Sequence, residues 1–123
     1  MIKQTETRDT CCDRELLELA AKAVGIDYWV VRFAPRSAPV EKLHITENGE
    51  TVEWNPLVND GQALRLAVKL GMQVYVGTHT VVAEICSDSE EPPILGKVFV
   101  ESDPYVATRR AIVRAAAEIG KAI

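Results

Sequence analysis

Long hydrophobic runs and an excess of basic charge are both missing from this sequence. No apolar stretch approaches the roughly 20 residues that a membrane-spanning helix needs, and residues 1–7 are polar, without the apolar core of a signal peptide. We therefore predict no membrane partner and a cytoplasmic location. Acidic residues (18 Asp and Glu) outnumber basic ones (14 Lys and Arg), for a net charge of −4. This balance argues against a nucleic-acid partner, because such binding depends on clustered cations that neutralise phosphates.

Metal-binding patterns are absent as well. The sequence has three cysteines and two histidines, with no CxxC or HxxxH spacing, whereas structural zinc sites use four closely spaced ligands. We expect no metal and no cofactor. Cys11 and Cys12 are interpreted as residues of a helix start and Cys86 as a small packed hydrophobe, all three in a reducing compartment.

Motifs for catalysis are equally lacking. There is no GxSxG, no Walker loop and no GxGxxG, and the seven glycines are scattered at the ends of predicted elements. The adjacent carboxylates Glu90 and Glu91 fall in an acidic loop, residues 87–93, which cannot hold an acid and a base in fixed geometry. We predict that the protein is not an enzyme, and the role of the acidic loop stays open.

What the sequence does contain is enough apolar residue for one core. The chain has 123 residues and 47% apolar content, which is enough for one hydrophobic core. We predict a flexible tail over residues 1–9 and a single domain over residues 10–123. Apolar periodicity predicts a helix that starts at Thr10 or Asp13 and ends at Val24, before Gly25. A strand is predicted over residues 26–34, with alternating side chains.

Turn chemistry predicts a hairpin over residues 43–54. Asn48-Gly49 suits a two-residue type I′ turn, which would pair Ile45 with Val52, Leu43 with Trp54, and His44 with Glu53. His44 is then interpreted as a solvent-facing partner of Glu53 rather than a catalytic base.

Two Asx-Pro steps each precede a predicted helix. Asn55-Pro56 comes before a helix over residues 61–70, and Asp103-Pro104 comes before a closing helix over residues 106–123. Asn59 and Gln62 have capping-box spacing, so the first helix is predicted to begin in a loose turn and to become regular after Gly61. The two steps are either a degenerate internal repeat or independent uses of a good helix start.

The second half is predicted to contain three strands. Residues 72–76 and 81–86 alternate as a second hairpin or as one long bulged strand, and residues 97–101 form a last strand. The closing helix is predicted to bury a stripe made of Tyr105, Ile112, Ala116, Ile119 and Ile123. The fold class is therefore α+β, with three helices layered on one mostly antiparallel sheet of about five to six strands, in the order αβββαβββα.

Four segments resemble a known family. They are residues 13–23 (DRELLELAAKA), 54–61 (WNPLVNDG), 63–70 (ALRLAVKL) and 103–112 (DPYVATRRAI). Together they are similar to the phage αβα-sandwich domain family, to which the NinX-like phage and prophage proteins are related. The resemblance implies an α/β/α layered fold and a phage-encoded accessory protein acting in the host cytoplasm. The resemblance carries over no active-site residues to this chain.

The sharpest functional hypothesis is a pocket for a nucleotide or another phosphate-bearing ligand, with which the protein would sequester a host signal. Guanidinium groups pair with phosphates, aromatic rings stack on bases, and helix starts offer free N–H groups. The candidate residues are Trp54, Asn55, Asn59, Arg65, Asp103, Tyr105, Arg109 and Arg110. The alternative left open is that the arginines are solvated and the aromatic residues belong to the core.

The competing hypothesis is a protein–protein interaction module without a small ligand. The acidic loop and the Ala-rich closing helix motivate it, because Ala115, Ala116 and Ala117 allow close approach of another helix. Its partner would be a host or phage protein, or a second copy in a homodimer.

Overall fold

The computed structural model describes residues 13–33, 40–86 and 92–123. Thr10, Cys11 and Cys12, the predicted tail and most of the acidic loop lie outside these ranges. The elements are α1 (Asp13–Val24), β1 (Trp29–Phe33), β2 (Val40–Glu47), β3 (Glu50–Glu53), α2 (Asp60–Leu70), β4 (Gln73–Val76), β5 (Thr80–Ile85), β6 (Ile94–Phe99) and α3 (Pro104–Ala122).

The described strands form two antiparallel sheets, where the sequence analysis expected one. The first sheet has the order β1-β2-β3 and the second the order β4-β5-β6. Short connections make each sheet a meander, and periodicity within a strand does not indicate which meanders join. Over the described ranges the class is therefore α+β, with three helices and six strands, consistent with a layered sandwich.

The first predicted hairpin is confirmed. Asn48 and Gly49 both have positive φ, 53° and 82°, as a type I′ turn requires. Ile45 lies opposite Val52 and His44 opposite Glu53, as predicted. The backbone N–H of Trp54 donates to the carbonyl of Leu43 at 2.8 Å, so that pairing also holds.

Of the two alternatives for residues 72–86, the second hairpin is confirmed and the single bulged strand is wrong. Tyr75 lies opposite Val82, and the N–H of Gly77 donates to the carbonyl of Thr80 at 2.9 Å across the turn. The last strand was placed too late, because it runs over Ile94–Phe99 instead of residues 97–101. Gly96 interrupts the apolar alternation there and hides the strand's first half.

Helix α3 is the central element of the core. It packs on α1, on α2, and on β5 and β6 of the second sheet. Small side chains of α3 allow these neighbours to pack closely around it. Four of its alanines, Ala111, Ala115, Ala116 and Ala117, are completely buried. The predicted stripe is wrong at its two ends, since Tyr105 and Ile123 are exposed. Apolar periodicity favours large residues as members of the buried face, whereas the close packing of α3 depends on alanine.

The two helix starts differ in detail. Asp103 is the N-cap of α3, with Pro104 in the first turn, as predicted. Asn55 instead holds a turn, because its carbonyl accepts from the N–H groups of Val58 at 3.1 Å and Asn59 at 3.0 Å. Asn59 then caps α2, which confirms the predicted loose turn. Each half of the chain is a three-stranded meander followed by a helix, but the steps into the two helices are not equivalent.

Candidate functional site

Within the described part of the chain, candidate residues line three separate depressions. Trp54 and Arg65 line a depression of about 190 Å³ between α2 and the first sheet. Asp103 and Arg110 line another of about 370 Å³ beside β6. Tyr105 and Arg109 line a third of about 510 Å³ between α2, α3 and β4. We call these the Trp54 depression, the Arg110 depression and the α2–β4 groove.

Buried residues form the floor of the Trp54 depression, and two basic side chains lie at its rim. Trp54 is only 4% exposed, so its ring belongs to the core. Gln62 is buried beside it; its Oε1 accepts from the N–H of Asn55 at 2.6 Å and its Nε2 donates to the carbonyl of Glu53 at 2.9 Å. Arg65 and Lys69 lie one turn apart at the rim. Within the described ranges neither has an ion-pair partner.

The three Asx candidates act on their own backbone. The Oδ1 of Asn55 accepts from the N–H of Leu57 at 3.1 Å, and that of Asn59 accepts from Gln62 at 2.9 Å. The Oδ1 of Asp103 accepts from Tyr105 at 2.8 Å. These bonds occupy N–H groups that an anion at either helix start would need.

Arg109 and Arg110 are engaged in long-range contacts inside the chain. Nε of Arg109 donates to the carbonyl of Leu57 at 2.8 Å, and its Nη1 donates to the carboxylate of Asp60 at 2.7 Å. Arg110 forms a bidentate pair with Asp13, at 3.0 and 3.2 Å. The acidic partners lie 49 and 97 positions away, so no local pattern could predict them. Both guanidinium groups join α3 to another helix.

The α2–β4 groove is bordered by large exposed apolar side chains, of which the sequence analysis named only Tyr105 as a candidate. Leu64 is 64% exposed, Val76 is 60% exposed and Tyr105 is 69% exposed, and all three line the groove. Val68, 71% exposed, follows Leu64 by one helical turn. We call these four residues the α2–β4 surface. A signal was present, because Leu64 and Val68 fall off the stripe of α2 that Ala63, Leu66 and Ala67 bury.

The Ala-rich segment of α3 is not available to a partner. Ala115, Ala116 and Ala117 are each 0% exposed, covered by this chain itself. The expectation that these alanines are open to the helix of a partner, whether another protein or a second copy, is therefore wrong, since the close helix approach they permit is used within the fold.

Two titratable groups among the described residues have shifted pKa values. A hydrogen bond from the Tyr28 hydroxyl to Glu18, 2.7 Å long, raises the pKa of Tyr28 above its usual value. The thiol of Cys86 is exposed, so its predicted packed role is wrong; it donates to Glu84 at 3.2 Å, and this bond raises the pKa of Cys86. At neutral pH Cys86 is therefore mostly the thiol, which is the weak nucleophile. Among the described side chains, no three of His, Cys, Asp or Glu converge as metal ligands.

No protein-family model, curated protein sequence or solved structure matches this chain. Within the described ranges, no helix is long and apolar enough to span a bilayer.

Proposed function

We propose that this chain is a non-enzymatic protein–protein interaction module that binds its partner through the α2–β4 surface. The observation that carries the proposal is the exposure of Leu64, Val76 and Tyr105 around the α2–β4 groove, continued by Val68 one helical turn beyond Leu64; each of the four is at least 60% accessible. Large apolar groups that cluster on a surface mark interaction sites, whereas scattered single ones need no explanation. Burying them against a partner gains about 25 cal/mol per Å² of apolar area.

The shape of this surface favours a macromolecule over a small ligand. Pockets for small molecules bury most of the ligand, so the residues that line them are themselves largely enclosed. Leu64 and Tyr105 instead project into solvent. The two charged residues that line the groove, Asp60 and Arg109, are already paired with each other, so the guanidinium group is not free to bind a phosphate.

The resemblance to the phage αβα-sandwich family suggests a biological setting for the proposed module. On that basis, the protein is a phage-encoded accessory protein that acts in the cytoplasm of the host cell. A host or phage protein is then an available partner. The layered α+β class agrees with this resemblance, but many unrelated proteins share that class.

Site-specific photo-crosslinking in cells tests the module even while its partner is unidentified. We expect a benzophenone amino acid at position 64 to give covalent protein adducts on irradiation, because a bound partner would cover this side chain. The matched control is the same probe at Lys22, an exposed residue that lines none of the three depressions. Adducts are resolved by gel mobility and identified by mass spectrometry.

A discrete adduct from position 64 and none from position 22 supports the module. Equal adduct patterns at both positions, or no adduct at position 64, contradict it.

A second candidate is an anion site at the rim of the Trp54 depression. The observation in its favour is the pair Arg65 and Lys69, two neighbouring cations without described ion-pair partners. The depression of about 190 Å³ is smaller than the roughly 300 Å³ of typical ligand pockets, so it would hold a phosphate group and leave a nucleoside outside. Glu47, also at the rim, weakens the attraction.

Calorimetry decides this candidate. We expect inorganic phosphate and a panel of cyclic and linear nucleotides to give heat with the wild-type chain. The heat should disappear when Arg65→Met and Lys69→Met are combined, because two exposed charges are lost while the apolar stems remain. Absence of heat with every ligand, or heat that the double variant retains, removes the candidate.

A further inference from the structure

The exposed edges of the two sheets are not protected equally. The edge strands are β1 and β3 of the first sheet and β4 and β6 of the second. Three of them carry charges: β1 has Arg32, β3 has Glu50 and Glu53, and β6 has Lys97. Strand β4, with the sequence QVYV, has neither charge nor proline. In natural sheets, charged residues and proline on edge strands prevent pairing with another edge. Among the described edge strands, β4 is the one that has neither.

The backbone groups that β4 presents outward follow from its pairing with β5. Gly77 is hydrogen-bonded to Thr80, and antiparallel pairs alternate between bonded and non-bonded positions. With Val76 opposite Val81 and Tyr75 opposite Val82, Tyr75 directs its N–H and C=O groups toward β5. Val74 and Val76 direct theirs toward the outer edge. Besides β5, the element packed closely against β4 is α3.

We propose that the partner at the α2–β4 surface is a second copy of this chain, joined by antiparallel pairing of the two β4 strands. This inference rests on the interaction module proposed above and names its partner. A two-fold axis at Tyr75 places Val74 of one copy opposite Val76 of the other. Each such pair exchanges reciprocal N–H···O=C bonds. The second, three-stranded sheet of one copy then joins that of the other in one continuous six-stranded sheet.

A second copy fits this edge better than an unrelated chain. A two-fold interface brings identical groups together, so it must be self-complementary, and an uncharged strand avoids placing like charges face to face. Val76 belongs to both the edge and the α2–β4 surface, so pairing at β4 brings the two surfaces toward each other across the axis. Asp60 and Arg109, the charged residues that line the groove, neutralise one another.

The test measures the mass of the full chain in solution by light scattering and sedimentation. We expect twice the chain mass of 13.6 kDa for the wild type at a concentration of about 100 µM. Val76→Pro should be monomeric but folded, because the register with β5 directs the N–H of Val76 outward, so proline removes no bond of the β4–β5 pair. Val76→Thr, which keeps that N–H and the branched shape, should remain a dimer.

A second pair of variants acts through the side chain at the axis. Tyr75→Lys places two like charges in contact across the two-fold and should raise the dimer dissociation constant at least about tenfold, while Tyr75→Phe should not. Tyr75 is more than half exposed, so both variants should fold, as circular dichroism would show. If Val76→Pro unfolds, the Tyr75 pair alone decides.

A monomeric wild type, or a dimer that survives both Val76→Pro and Tyr75→Lys, overturns the inference. Adducts from position 64 to a different protein, with a monomeric chain, would overturn the second copy as partner and leave the interaction module standing. A monomer without any adduct would remove both.

Discussion

Replacing Gly96 by alanine is expected to destabilise the fold by about 3 kcal/mol or more, a large part of the stability of a typical domain. A Cβ atom at Gly96 would lie 2.2 Å from the carbonyl oxygen of Ala111 and 2.7 Å from the nitrogen of Ala115. Both are backbone atoms of α3, so no side-chain rotation can relieve the clash. The helix would have to move away from β6, and the contact between β6 and α3 that closes the core would open.

Denaturant unfolding followed by circular dichroism measures this loss, with a melting temperature lower by on the order of 10 °C. Gly61→Ala is the matched control, because the same methyl group there meets only side-chain atoms at ordinary contact distances, Oδ1 of Asn59 at 3.4 Å and Nη1 of Arg65 at 3.5 Å. Gly61 lies in the first turn of α2, so alanine should be neutral or stabilising by about 0.5 kcal/mol. Equal stability of Gly96→Ala and the wild type would contradict the close packing of α3 on β6.

Local chemistry explains which parts of the fold could be predicted. Asn48-Gly49 dictates the hairpin that aligns Ile45 with Val52, and Asn59 with Gln62 dictates the start of α2, because each signal involves residues within a few positions of one another. Gly96 shows the opposite case. In the sequence it only interrupts a strand pattern. Its role becomes visible when the backbone of α3 at Ala111 and Ala115 is packed against it in three dimensions.

The candidate residues are dispersed for a related reason. Arg109 and Arg110 are adjacent in sequence, and on a helix adjacent side chains point about 100° apart. One therefore meets Asp60 of α2 and the other meets Asp13 of α1. Sequence reasoning groups them as one basic patch by their spacing to the helix start, a criterion that ignores which neighbour each face contacts. The exposed apolar residues of α2 escape a search that looks for charges.

Trp54→Ala is expected to cost about 3 to 5 kcal/mol of stability, the usual penalty for removing a buried aromatic side chain. Trp54 is 4% exposed in the core cluster and packs near Gln62, whose amide bridges the end of β3 to α2. The cavity left behind would loosen that bridge as well. Trp54→Phe should cost clearly less, because a ring still fills most of the space.

The measurement is chemical unfolding of both variants beside the wild type, with mass determination of the folded state. Because Trp54 is enclosed, a base could stack on it only if the ring left the core. Trp54→Phe should therefore leave both phosphate affinity and association unchanged. A Trp54→Ala variant as stable as the wild type, with lost ligand heat, would instead show that the ring serves a ligand and would return the aromatic-stacking hypothesis to first place.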